Sequence, residues 1–185
     1  MYVFNLTNGT ATQYCAGFQG PPSAANYSAS PTTPGGRSTG PNYCASQGSA
    51  LSPQQYAAKG QDFGAGIVAM GQSYSPDVAS SFALGSLAGQ FSKGGSLDAQ
   101  PGATGNPFQK ASYGNYVFGA FFAGAGVPLA DALTAANAYG LKQQMLGGAY
   151  TTQTLGPSYT HIPAANVQAI INGYNDASRG TLCHH

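Results

Sequence analysis

The stretch that decides the fold is Pro163-Ala164-Ala165-Asn166-Val167-Gln168-Ala169-Ile170-Ile171-Asn172-Gly173-Tyr174-Asn175-Asp176-Ala177-Ser178-Arg179-Gly180. Proline at the start and glycine at the end are the punctuation of a helix. Val167, Ile170, Ile171 and Tyr174 recur at helical spacing, so one face is apolar and needs a partner to bury it. A chain that closes on such a helix belongs to a packed helical unit.

The same grammar appears upstream. Ser52 is read as an N-cap with Pro53 in the first turn, opening a helix that runs through Ile67 and Met70. Ser75-Pro76-Asp77 repeats that start, with Phe82, Leu84, Leu87 and Phe91 as a buried face and Gly94-Gly95 as the stop. Helical pattern resumes from about Lys110 to Ala125, breaks at Gly126, and restarts near Pro128 through Tyr139. Residues 2–18 differ: two short alternating runs flank Asn8-Gly9, a β-hairpin signal. Residues 19–50 carry Pro21-Pro22, Pro31, Pro34-Gly35-Gly36 and Gly40-Pro41 with almost no aliphatics, which predicts a long loop. The expected fold class is α+β, mainly α. Its parts are an N-terminal hairpin and Gly/Pro-rich arm over residues 1–50 and a small helical domain over 51–185.

Composition narrows the function classes. Charged residues make up 6% of the 185, and the acidic inventory is five aspartates without a glutamate. A net charge of +1 leaves no basic patch, so salt-driven duplex nucleic-acid binding is not expected. A surface of Ser, Thr, Asn, Gln, Gly and Tyr suits neutral polar ligands such as glycans. Segment 115–139 is apolar and rich in small residues, yet Gly119, Gly124, Gly126, Pro128 and Asp131 interrupt it, so membrane insertion is not expected. The N-terminus from Met1 to Leu6 has neither a basic region nor an apolar run, so it does not read as a secretory signal.

Three cysteines, Cys15, Cys44 and Cys183, permit one disulfide. Cys15 with Cys44 is the candidate pair, since it would close the Gly/Pro-rich loop; a Cys44 nucleophile working with His161 is a further chemical option. No Cys-x-x-Cys, His-x-x-x-His or acidic cluster suggests a metal, and no phosphate-binding glycine loop suggests a nucleotide, so neither metal nor cofactor is expected. Metal-free acid–base chemistry then falls to the aspartates. Asp77 and Asp131 read as first-turn helix charges and Asp176 as an exposed residue of the last helix. Asp62 and Asp98 have no such account, and Asp98 lies on a loop between glycines and prolines. His161, just before the last helix, is a candidate general base, whereas His184 and His185 sit at the C-terminal end, where fraying makes catalysis improbable.

Phe91-Ser92-Lys93-Gly94-Gly95-Ser96-Leu97-Asp98-Ala99-Gln100, then Tyr113-Gly114-Asn115-Tyr116-Val117-Phe118-Gly119-Ala120, and finally Ile170-Ile171-Asn172-Gly173-Tyr174 resemble the polymorphic toxin type 44 domain of bacterial effectors. The resemblance spans roughly residues 80–183 in order and spacing. It departs at Leu97, where the family has Trp, at Gln100, where it has Lys, and at Ala164 and Ala165, where it has acidic residues. Such domains are delivered by secretion machines and neutralised by a cognate immunity protein, so the resemblance implies those two partners and a chain that needs no signal of its own. Combined with the composition, it suggests an effector delivered to a target cell's periplasm that hydrolyses an envelope polymer, with peptidoglycan glycan strands as the first choice. In that reading Asp98 is the acid or electrostatic group, Asn115 orients substrate or water, and Asp62 is the second carboxylate. Tyr113 and Tyr116 would stack on sugar rings, with Gln100, Gln109 and Lys110 as polar contacts. A metal-independent RNase using His161 and a pore-forming toxin are the alternatives.

Overall fold

A computed structural model describes residues 2–5, 10–13, 41–73, 83, 85–145 and 161–183. The described part is mainly helical: α1 (Pro53–Ser73), a short α2 (85–90), α3 (Pro107–Gly124), α4 (Leu129–Met145) and α5 (Ala164–Arg179), with a 3-10 turn at Tyr43–Ser46. Two short strands, β1 (Tyr2–Asn5) and β2 (Thr10–Gln13), pair antiparallel with Tyr2 opposite Gln13. The predicted helix start at Ser75-Pro76-Asp77 and the Gly/Pro-rich segment up to Gly40 lie outside the described residues.

The helix ends follow local chemistry. Ser52 does cap α1: its Oγ accepts from the Gln55 N–H at 3.2 Å and its own N–H donates to Gln55 Oε1 at 2.7 Å. α3 opens three residues before the predicted position because Asn106 and Gln109 form the same reciprocal box, at 3.0 and 2.9 Å, with Pro107 at the first position. α5 closes on Gly180 in the left-handed region at φ 69°, as its sequence announces.

α3 is the axis of the molecule. Tyr113, Tyr116, Val117, Ala120, Phe121 and Phe122 are all buried, so the helix is apolar on nearly every side and other elements surround it. Phe91 meets Phe118 and Phe121 edge-on at centroid distances of 5.0 and 5.1 Å, while Phe63 of α1 reaches Phe121 at 5.6 Å. A second cluster of Leu133, Ala136, Ile162, Val167, Ile170 and Ile171 joins α4 to the first half of α5. Glycines govern how closely the helices approach. A Cβ on Gly173 would collide with the Tyr116 carbonyl, and one on Gly119 with the Ile170 carbonyl. Position 119 therefore faces 170 and position 116 faces 173, so α3 and α5 run antiparallel with their backbones in contact. α1 crosses α3 in the same manner, Gly60 against Phe121 and Gly124 against Ala57.

Cys44 pairs with Cys183, Cα to Cα 5.8 Å across a sequence separation of 139, so the Cys15–Cys44 expectation is corrected. The reason lies in where the two segments land. Tyr43 stacks on Tyr116 of α3 with ring centroids 4.6 Å apart, and the tail beyond Gly180 turns back along the same helix, with Cys183 at φ 59°. Leu182 is buried there, and its carbonyl accepts from Gln54 Nε2 at 2.8 Å. A Cys44 thiolate nucleophile is thereby removed, since its sulfur is consumed in the bridge.

Candidate functional site

Leu97 and Ala99 are buried on either side of Asp98 and pin the loop between α2 and α3 to the core. Asp98 itself stays half-exposed, and its carboxylate ties the loop together. Oδ2 accepts from the Gly94 N–H at 2.8 Å and Oδ1 from the Gln100 N–H at 3.1 Å. Gly94 stands at φ +80°, a conformation that glycine adopts without a side-chain penalty. Asp98 therefore has a structural role that its sequence context did not announce, an Asx-type loop staple. Each carboxylate oxygen has a further acceptor site in the ionised form.

Beneath the loop, Tyr56 of α1 donates its hydroxyl to the Leu97 carbonyl at 3.4 Å. Burial first, and then the negative charge of Asp98, push the Tyr56 phenol up to about 12. Across the loop, the Gln100 side chain lies over α3: its Cγ would be in ordinary contact with a Cβ on Gly114, at 3.6 Å. Lys110 and Gly114, one helical turn apart, share that side of α3, and Asn115 adjoins it. Lys110 and Asn115 are half-buried, and the Asn115 amide turns back to donate to the Ala111 carbonyl at 2.8 Å. The structure thus brings Asp98, Gln100, Lys110, Gly114 and Asn115 into one strip formed by the loop and the first half of α3. Gln109 is at its edge, engaged in the helix cap.

The aromatic residues assigned to sugar stacking do not reach this strip. Tyr113 and Tyr116 are each 0 % exposed, because their rings turn into the core. Tyr113 donates to the Leu51 carbonyl at 2.6 Å and Tyr116 to Asp176 Oδ2 at 2.9 Å. Burial raises both phenols well above the ordinary tyrosine value, and for Tyr116 the Asp176 carboxylate adds to the effect. Asp176, read from sequence as an exposed charge, is the half-buried acceptor of that bond. The exposed aromatic that the reading missed is Phe108, 58 % exposed in the first turn of α3 and two turns before Asn115 on the same face. Its signal was the Asn106-Pro107 helix start, which leaves first-turn side chains without a preceding turn to cover them.

The remaining candidates stand elsewhere. His161 is half-buried at the corner between α4 and α5, where its N–H donates to Asn137 Oδ1 at 3.0 Å and its carbonyl abuts Gly140. Because α3 and α5 are antiparallel, the start of α5 lies beside the end of α3, about 15 Å along the axis from Asn115. Asp62 is exposed on α1; it lies two residues from both Gly60 and Gly64, whose face meets α3, so it points away from the core. Neither is brought to Asp98. Asp131, in the first turn of α4, is half-buried, and burial raises its carboxyl above the ordinary aspartate value. Among the described residues no group of three or more His, Cys, Asp or Glu is placed to hold a metal ion. No helix among them is long and apolar enough to cross a membrane. No family model, no curated protein and no solved structure matches the chain.

Proposed function

We propose that this chain is an antibacterial effector acting on the outer side of the cytoplasmic membrane, where it hydrolyses an envelope polymer, peptidoglycan glycan strands being the substrate of choice. The observation that carries the reading is the Cys44–Cys183 disulfide, which joins two segments far apart in the chain and belongs to an oxidising compartment such as the periplasm. A cytoplasmic RNase would work where such a bridge is reduced, and the chain's six basic residues offer little to hold a polyanion. The family resemblance, carried by Gly94-Gly95, Asp98, Asn115 and Gly119, supports the effector assignment. It implies an immunity protein and a secretion carrier as partners.

In this reading Asp98 protonates the leaving oxygen of a glycosidic bond laid along the loop–α3 strip or, as a carboxylate, stabilises the developing oxocarbenium ion. Lys110, Gln100 and Asn115 contribute polar contacts, and the exposed Phe108, which shares a helix face with Asn115 rather than with Lys110, offers a stacking surface at the margin of the strip in place of the buried Tyr113 and Tyr116. Asp62 is not available as a second carboxylate, so the participating group comes from the substrate, as an N-acetyl oxygen does in substrate-assisted glycosidases.

The test is expression of the chain in a bacterium with and without a fused periplasmic signal, together with chromatography of purified sacculi incubated with the protein. New muropeptides, lost on Asp98→Asn in a protein that still folds, are the expected result. Periplasmic toxicity with unchanged sacculi would replace hydrolysis by a pore, and toxicity confined to the cytoplasm would replace it by RNA cleavage.

A further inference from the structure

The disulfide joins two short segments at the margin of the described core, the Tyr43–Ser46 turn and the tail beyond Gly180. The turn Tyr43–Ser46 rests on the Tyr43 ring against Tyr116, on the Asn172 amide donating to the Tyr43 hydroxyl at 3.2 Å, on its own Asn42 cap, and on Thr104, whose N–H donates to the Ser46 carbonyl at 2.9 Å and whose hydroxyl donates to the Ala45 carbonyl at 3.4 Å. The tail beyond Gly180 rests on buried Leu182, the Gln54 bond and the Thr181 N–H to the Asp176 carbonyl at 2.8 Å. Both segments converge on one residue: the Cys183 N–H donates to the Tyr116 hydroxyl, which in turn donates to Asp176, while Tyr43 covers the Tyr116 ring. α3 and α5, by contrast, are locked backbone to backbone at Gly119 and Gly173. Short segments with few buried contacts open at far lower free energy than an interlocked core. Cys44 and Cys183 are both half-buried, so a small thiol can reach the bridge.

We infer that the Cys44–Cys183 bridge is a redox-operated clasp: its reduction releases the 43–46 turn and the 181–183 tail from α3, uncovering Tyr116 and Asp176, while the α3–α5 pair stays closed. The step requires a dithiol reductant. Its thiolate attacks one sulfur of the bridge and forms a mixed disulfide with release of the other cysteine. Its second thiol then resolves the intermediate, so two electrons pass to the bridge, two protons end on Cys44 and Cys183, and the reductant leaves as its own disulfide. The chain is thus open in a reducing compartment and clasped in an oxidising one. Only the consequence for delivery, open in the producing cell and closed at the target, rests on the envelope reading.

The experiment is amide hydrogen exchange read by mass spectrometry on the full chain, oxidised and then reduced with dithiothreitol. Cys15→Ser throughout prevents thiol exchange with the third cysteine. Reduction is expected to speed exchange in 43–47 and 181–183 by about tenfold or more, while 116–120 and 169–173 remain the more protected segments by at least about tenfold even as the whole fold loses stability. A Cys44→Ser/Cys183→Ser chain should match the reduced protein and ignore the reductant. Unchanged exchange in the clasp segments would overturn the inference, as would α3 and α5 segments that exchange as fast as the clasp. No substrate enters the measurement, so a failed clasp and a failed hydrolase remain separate results.

Discussion

A methyl group at Gly173 sets two effects against each other. Alanine is favoured over glycine in a helix by about 1 kcal/mol, but here its Cβ would enter the space of the Tyr116 carbonyl, a backbone atom that cannot swing aside. Overpacking of that kind costs about 1–3 kcal/mol or more, so Gly173→Ala should destabilise on balance, seen as a lower urea midpoint at unchanged slope. From the sequence, Gly119 and Gly124 register only as breaks in an apolar run; their role as contact points depends on a partner helix that no local pattern names. The same limit hid the burial of Tyr113 and Tyr116. α3 is apolar almost all round, so its periodicity does not say which side faces out. Tyr56 carries a pH prediction. Its phenol is raised from the ordinary 10 to about 12, so between those values the folded chain keeps a proton that the unfolded chain gives up. Stability is therefore full below pH 10 and falls as pH rises toward 12, by about 1.4 kcal/mol per pH unit for this group. Urea melts across that range should show a shallower decline for Tyr56→Phe.

Among the elements, α3 depends on its first turn, because the strip that bears Lys110, Gly114 and Asn115 begins there. Asn106→Ala removes the acceptor for the Gln109 N–H and should lower stability by about 1 kcal/mol, measured by thermal or urea unfolding, without moving the core aromatic contacts. The starts of α1 and α5 and the close of α5 were legible because caps are local: Ser52, Pro53, Pro163 and Gly180 announce themselves. The start of α3 was only partly so, since Pro107 read as loop while it occupies the first helical position. α4 continues past Tyr139 to Met145, and Gly140 within it carries no side chain where the His161 carbonyl comes close. Of the candidate site, Asp98, Gln100 and the Lys110–Asn115 strip were legible from one contiguous stretch of chain. Asp62 and His161 were not separable from it, because their distance from Asp98 is decided by helix directions alone.

At the scale of the whole molecule, the bridge between Cys44 and Cys183 constrains the unfolded chain over a separation of 139 residues. Chain-entropy reasoning assigns a loop of that size about 5 kcal/mol, so Cys44→Ser/Cys183→Ser should melt about 10–20 °C lower in a calorimeter. The pairing escaped the sequence because proximity along the chain favoured Cys15, whereas the partner is brought in by the turn after Gly180. The backbone-to-backbone seam at Gly119 and Gly173 also has a calorimetric signature. Helices that meet through glycine bury peptide groups rather than long apolar side chains, and exposing peptide surface lowers the heat capacity of unfolding where exposing hydrocarbon raises it. The heat-capacity increment should therefore fall below the usual value of about 12–15 cal/mol/K per residue. The curve of stability against temperature is then broad and flat, and a protein so built loses little of its folding free energy between a cold environment and a warm one.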